Sequence, residues 1–361
     1  LEELKGKTVL VTGATGLIGS LLVKALQCCN RRKETGIKIL ALVRNQEKAE
    51  KLFGDLLKRE DLKLVIGDIT MPVAVEDKID YIITNCAECE PYITADYRQI
   101  LEHGEELVEG MKIILRLFDN AKGLFGVEDN KPDCIEKLKE LTKDEPRMEV
   151  LKLQTKYPQG GERQLIYATT GRAINSSMLP AGCVVDNVAT ISAIYRAVAK
   201  GEPSMDRIVT VSGDAVHEPG NFKVPFGMNQ AELIEAAGGY KVDPEKIISG
   251  GPMMGFSMFT VDVPVTKTSS SILCFTKDEV AQYEPTACIN CGRCVEVCPS
   301  RLIPSRLADY AEHHDEEAFT KHEGLECMEC GSCSYVCPAK RQLKQAIGSM
   351  RKTALANRKK K

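Results

Sequence analysis

The stretch KIDYIITNCAECEP, residues 78–91, opens as an apolar strand and ends as a loop dense in acid and cysteine. A strand-to-helix turn chosen for packing has no need of two thiols and two carboxylates between residues 86 and 90, so the composition changes character here. Working upstream, residues 8–12 form a short apolar strand, a glycine turn follows, SLLVKALQCC (20–29) has helical spacing, and KILALVR (38–44) and LKLVIGD (62–68) supply two more strands. Strands alternating with helices predict a parallel sheet. DYIIT (80–84) would be its fourth strand, which predicts that the pieces on either side of the junction meet in one sheet. Downstream, 97–122 reads as a helix or pair of helices and 132–142 as a shorter helix before the strand EVLKL (149–153). VVDNVATISAIYRAVAKG (184–201) reads as a helix closed by Gly201, residues 207–239 as short strands between Gly/Pro turns with one helix, and the part beyond about 280 as short helices between cysteine runs.

With 361 residues, 27% charged and 43% hydrophobic side chains and a formal net charge of −3, the chain has the make-up of a globular protein with room for two or three domains. Nothing in that balance points to nucleic acid. No run approaches the roughly 18 apolar residues needed to cross a bilayer. The opening residues, with Glu2, Glu3 and Lys5, lack the apolar core of a signal peptide, so a cytosolic protein, at most on a membrane surface, is expected. The 15 cysteines are then no disulfide framework, because the cytosol keeps thiols reduced. Cys28, Cys29, Cys86, Cys89, Cys134, Cys183 and Cys274 are scattered and read as small buried residues; Cys86 and Cys89 make a lone C-x-x-C, a weak sign of a redox dithiol.

The other eight lie in CINCGRCVEVCP (288–299) and CMECGSCSYVCP (327–338), both spelling C-x-x-C-x-x-C-x-x-x-C-P. Three cysteines at such intervals let one loop wrap a corner of a cubane, and the fourth cysteine of each run ligates the cluster of the other run. One 4Fe-4S cluster is therefore expected on Cys288, Cys291, Cys294 and Cys337, and a second on Cys327, Cys330, Cys333 and Cys298. The competing reading is zinc, whose four-cysteine sites also use C-x-x-C pairs but need no third cysteine at the same short interval. Gly292 and Gly331 follow the second cysteine of each run and allow the backbone to pass close to sulfide.

NCAECEPYITADYR (85–98), KYPQGGERQLIYATTGR (156–172), LPAGCVVDNVAT (179–190), VSGDAVHEPGNFKVPFG (211–227) and GGPMMG (250–255), followed by the two runs, closely resemble the C subunit of the Rnf electron transport complex over about residues 75–345. The resemblance implies a peripheral protein at the cytoplasmic face of the bacterial membrane. Its partners would be the other Rnf subunits and a ferredoxin-type electron donor or acceptor, and it would take a hydride from NADH onto FMN and pass electrons singly to iron–sulfur clusters. It further implies that Asn85, Glu88 and Glu90 lie along the isoalloxazine and nicotinamide, and that Glu162, Asn187 and Thr190 help hold the flavin. Taken alone, such residues in polar or glycine-rich loops also serve as caps and turn formers. The implied fold is α/β: a Rossmann-like parallel sheet in the N-terminal and central parts, a small β-grasp module and an α-helical dicluster ferredoxin domain. The expected boundaries are 1–72, 73–204, 205–265 and 275–345, with 346–361 a solvated basic tail or, as the alternative, an attachment to anionic lipid or an acidic partner; SMRKTALANRKKK holds six basic side chains and no acidic one.

VTGATGLIG (11–19) places Gly13, Gly16 and Gly19 after a strand and at the start of a helix, a spacing that lets a pyrophosphate approach the helix N-terminus. This stretch resembles the extended short-chain dehydrogenase/reductase family, in which Arg44 would face an adenosine 2′-phosphate and Asp68 the adenine, implying NAD(H) or NADP(H). The alternative is a strand and helix that bind nothing. No tyrosine has lysine four residues later, the pair that family uses to protonate its substrate, and the G-G-A-G-F-P-T loop with which Rnf C subunits wrap the FMN phosphate does not occur either. KIDYIITNCAECEP suits either parent, so the chain reads as a chimera with its crossover between about 70 and 82. Three functions follow: an Rnf-type electron-transfer protein, a dicluster carrier without a working flavin site, and an NADP-dependent reductase or epimerase.

Overall fold

The computed structural model describes every residue other than 1–3, 12, 13, 16, 67–78, 175–181 and 361. The chain divides into two units, Leu1–Lys78 and Ile79–Lys361. In the first, β1 (Thr8–Val11), α1 (Leu17–Lys33), β2 (Lys38–Val43), α2 (Gln46–Phe53) and β3 (Leu62–Ile66) follow in order, and the strands pair in parallel as β1-β2-β3. β2 is central, so all of it past Lys38 is buried, and it packs with Val11, Val23, Leu26 and Phe53. Asn45 starts α2 by accepting the Lys48 N–H at 2.8 Å.

The second unit begins with β4 (Tyr81–Cys86), α3 (Ala95–Leu115), β5 (Lys122–Glu128), α4 (Pro132–Thr142), β6 (Met148–Leu153), α5 (Glu162–Thr170), β7 (Cys183–Asn187) and α6 (Val188–Tyr195). Its parallel sheet runs β6-β5-β4-β7. The single merged sheet expected from the sequence is thereby corrected: β4 bonds β5 along one edge and β7 along the other, so it has no edge left for β3. The helix expected over 184–201 is also shorter. Val184 and Val185, β-branched, are drawn into β7 opposite Ile82 and Ile83, and the helix starts only after Asn187. Ile82, Phe125, Leu107 and Met111 form the core between sheet and helices, and α3 is kinked at His103.

A five-stranded sheet of order β11-β10-β12-β8-β9 follows, made of β8 (Asp206–Ser212), β9 (Gly220–Pro225), β10 (Lys246–Ser249), β11 (Phe256–Ser257) and β12 (Ser271–Phe275), with α7 (Gln230–Ala236) packed on it. β12 lies beyond the expected limit of 265, yet it holds the middle of the sheet between β10 and β8. The last part is helical: α8 (Arg293–Glu296), α9 (Pro304–Glu312), α10 (Glu316–Lys321), α11 (Ser332–Tyr335) and α12 (Leu343–Lys360). The basic tail expected over 346–361 is α12 instead. Leu343, Ile347, Met350 and Ala354 recur at helical spacing, and this apolar stripe is buried against Leu307, Ala308 and Phe319 while the basic residues occupy other faces.

Candidate functional site

The eight run cysteines line two cavities. One is lined by Cys298, Cys327, Cys330 and Cys333, the other by Cys288, Cys291, Cys294 and Cys337. Each holds three cysteines of one run and the fourth of the other, the grouping the spacing predicts. Each run places a left-handed glycine, Gly292 (φ 77°) or Gly331 (φ 83°), ahead of a four-residue helix, α8 or α11. Among the described residues no three His, Cys, Asp or Glu side chains are closed tightly enough to hold a metal ion as they stand. The fold thus offers two cysteine-lined hollows rather than a finished coordination shell. In surroundings they differ: Cys288 and Cys291 are exposed, whereas Cys330 is buried. Burial pushes the Cys327 thiol up to about 11 and the Cys333 thiol up to about 12, so iron entering there must displace their protons.

A cleft of about 540 Å³ opens at the C-terminal end of the β4 sheet, where loops leave the strands. Glu88, Glu90, Glu162 and Asn187 all line it, together with Cys89, Gly160, Gly161 and Met328. Gly160 and Gly161 make the wall because nothing larger fits. A Cβ at Gly160 would lie 2.3 Å from the Ala87 carbonyl oxygen, and one at Gly161 2.4 Å from the Met328 methyl. Gly161 also opens α5 with no side-chain cap on its N–H groups, and Glu162 stands in that first turn, where its charge complements the helix dipole.

Glu88 accepts the Asp96 and Tyr97 N–H groups at 2.9 and 3.1 Å, which fastens the start of α3 to the cleft. Burial, with the Asp96 carboxylate adding to it, raises its pKa to about 7 despite those two amides. Asp96 is itself raised by burial and accepts the Asn187 side-chain amide at 2.6 Å. Asn187 in turn caps α6 through the Ala189 N–H at 2.9 Å. Glu90 spans to the neighbouring module, accepting the Met253 and Met254 N–H groups at 3.1 and 2.8 Å.

Two expected ligands stand elsewhere. Asn85 does not line the cleft but braces it, donating to the Gly160 carbonyl at 2.9 Å and accepting the Ala87 N–H at 3.1 Å. Thr190 lines an adjoining cavity of about 500 Å³ that shares only Asn187 and Arg207 with the cleft. The Arg207 Nε is buried without a hydrogen-bond partner, and the cation's pKa is lowered by that burial. Sequence reasoning missed Arg207, Tyr157 and Met328. Met328 was visible as the residue between two ligand cysteines, but its direction was not. In the first unit, Gly13, Gly16 and Asp68 lie outside the described residues; Gly19 falls in α1, and Arg44 is exposed just after β2.

A glycine-walled cleft over a parallel sheet, tied to a paired-cysteine helical domain, defines a protein of the flavin and dicluster iron–sulfur class. Residues 69–196 match the model of the Nuo51 FMN-binding domain, 208–257 the SLBB domain, 287–341 the 4Fe-4S dicluster domain and 9–125 the NAD-dependent epimerase/dehydratase family. The first and last overlap over the junction stretch. The chain is 42% identical over 303 residues to the C subunit of the Na(+)-translocating ferredoxin:NAD(+) oxidoreductase complex of Acetobacterium woodii, covering 82% of this chain and 68% of that one. It is 45% identical over 251 residues to the proton-translocating counterpart of Clostridium ljungdahlii, covering 67% of this chain and 55% of that one. The chain belongs to the family of C subunits of Rnf-type ion-translocating oxidoreductase complexes. It spans little more than half the length of the Clostridium relative. Its fold is similar to that of an NAD+-reducing NiFe-hydrogenase chain, with a TM-score of 0.54 at 18% identity over 76% of this chain and 57% of that one. No helix among the described residues is long and apolar enough to cross a membrane.

Proposed function

We propose that this chain is an electron-transfer subunit working between NADH and two 4Fe-4S clusters, with FMN in the cleft. It would act in a membrane complex that couples NAD and ferredoxin oxidation states to ion movement. The observation that carries the reading is the crossed sorting of the eight cysteines into two cavities. Bound in the cleft, FMN supplies the conversion of a two-electron hydride donor into one-electron steps. The chain's own residues prepare the site. Gly160 and Gly161 let the Ala87 carbonyl and the Met328 methyl close up behind the wall, Glu88 holds a proton near neutrality, and Asp96 fixes the Asn187 amide. Arg207 brings positive charge with an unused N–H donor, which suits a phosphate-bearing ligand. Attachment to the cytoplasmic face of the membrane would come through partner subunits.

Anaerobic reconstitution followed by iron, sulfide and flavin analysis, then NADH addition, tests this. Flavin retention with NADH-driven bleaching of the clusters is the expected result. Clusters without flavin would instead support a dicluster carrier. Iron-independent reduction of a sugar nucleotide or acyl thioester would overturn both in favour of the reductase reading.

A further inference from the structure

The two cysteine quartets stand in different relations to the cleft. Met328 lines both the cleft and the Cys298/Cys327/Cys330/Cys333 cavity, whereas no residue lining the other quartet's cavity lines the cleft. The Met328 methyl packs on the Gly161 turn so closely that any side chain there would displace it. Beside it, the Tyr157 hydroxyl donates to the Cys330 carbonyl at 2.7 Å and lies 3.3 Å from Glu90 Oε1, so a single ring touches a cleft carboxylate and the backbone of a cluster cysteine.

Further bonds hold the same loop in place. Arg163, which follows Glu162 in α5, bonds the Glu326 carboxylate at 2.7 Å, and Arg351 on α12 bonds Glu329 at 3.1 Å. In the opposite run only the far end is tied to α5, where Gln164 donates to the Pro299 carbonyl at 3.4 Å; Cys288, Cys291 and the Ile289 side chain between them are exposed.

We propose that Met328 and Tyr157 hold the buried quartet against the cleft, which makes it the first acceptor of electrons leaving the cleft and the Cys288/Cys291/Cys294/Cys337 quartet the second, outward-facing one. The proposal rests on the reading of the cleft as a flavin site. Its electron count closes: NADH and two oxidised clusters give NAD+, one proton and two clusters each reduced by one electron. No other oxidant is required, and the order concerns only which cluster meets the electron first. Met328 and Tyr157 are positioning residues. They set the approach of the two sites and exchange no electron themselves.

The test uses full-length protein reconstituted with iron, sulfide and FMN and freed of unbound flavin. Two variants each lack one cluster, Cys288→Ala and Cys330→Ala. Light with EDTA as electron donor reduces the bound flavin, which keeps NADH out of the measurement. Freeze-quenched EPR reads the remaining cluster, and dithionite shows that it is present and reducible. In Cys288→Ala the remaining cluster should reduce promptly; in Cys330→Ala it should stay oxidised over the same interval although dithionite reduces it. Equal rates, or the reverse order, overturn the proposal while leaving the flavin reading intact. A protein that keeps its clusters but retains no FMN overturns the flavin reading and the proposal together. If Cys330→Ala loses both clusters, the Met328 series decides. Met328→Ala should slow reduction of the buried cluster when the rate is taken per bound flavin and per dithionite-reducible cluster, and Met328→Leu, which keeps the volume, should restore it. An unchanged rate in Met328→Ala overturns the role of that residue.

Discussion

In CINCGRCVEVCP the first two cysteines are exposed and the Ile289 between them is 65% exposed; in CMECGSCSYVCP Cys330 is buried, and Met328 packs on the glycine turn that opens α5. The spacing is the same, and so are the left-handed glycine and the four-residue helix. What differs is the neighbour. The run at 327–338 rests on the cleft wall and on the GGPMMG turn, while the Cys288–Cys291 end of the other run faces outward. The three-cysteine loop is thus a local property of the motif, whereas solvent access is conferred by whatever packs on it.

The largest expected effect is that of the metal. Stripping iron should destabilise the Ile79–Lys361 unit by several kcal/mol, because binding energy at such sites is folding energy, and leave the Leu1–Lys78 unit unchanged in calorimetry. In the stripped protein an alkylating reagent should modify Cys288 and Cys291 ahead of Cys330. Mass spectrometry that finds Cys330 labelled as fast would break the contrast between the runs.

The twin glycines give the next test. Alanine at either pays for a left-handed backbone, about 1–2 kcal/mol. At Gly292 nothing lies within 4 Å of the added carbon, but at Gly331 it would sit 2.8 Å from the Met253 carbonyl oxygen. Gly331→Ala should therefore cost roughly 2–5 kcal/mol in denaturant melts, and Gly292→Ala only the left-handed share. Equal losses would show that the surroundings of the two runs do not differ as described.

Glu88 probes the cleft that the buried run faces. Its folded pKa of about 7 stands above the ordinary 4.5, so the folded protein holds an extra proton between those values, and stability falls as pH rises through that window. Relative to its parent, Glu88→Gln should gain about 2–3 kcal/mol between pH 4.5 and 7 in urea melts, with no further change above. A flat difference would mean that the carboxyl is not buried as the cleft requires. The smallest effect belongs to the outward quartet, whose cavity Arg341 lines while bonding Asp309 and Glu312 at 2.9 and 2.8 Å. With both acids half exposed, Arg341→Met should cost about 1 kcal/mol and speed alkylation of Cys337 in stripped protein.

The three-cysteine loops were legible because each is written within twelve residues, and the crossing of the fourth cysteine followed from the repeat of that motif, not from anything local to one run. The cleft was partly legible: Glu88, Glu90, Glu162 and Asn187 converge, yet Asn85 braces a loop and Thr190 lines a neighbouring cavity, since a polar residue in a glycine-rich loop can serve turn or ligand equally well. β12 escaped because its place in the sheet depends on partners about sixty residues upstream in β8. α12 escaped because its lysines and arginines drew attention from Ile347, Met350 and Ala354, whose spacing was present throughout. The merged sheet was wrong for a simpler reason. A strand's own sequence does not say which of its two edges is already taken.

That saturation of β4 has a consequence for the history of such chains. Because both neighbours of β4 come from sequence after residue 79, whatever precedes it can be exchanged by recombination without unpairing a single strand of the cleft-bearing half. No hydrogen-bonding partner of β4 is lost when the segment before it changes, so the strand pairing of the downstream sheet is independent of what stands upstream.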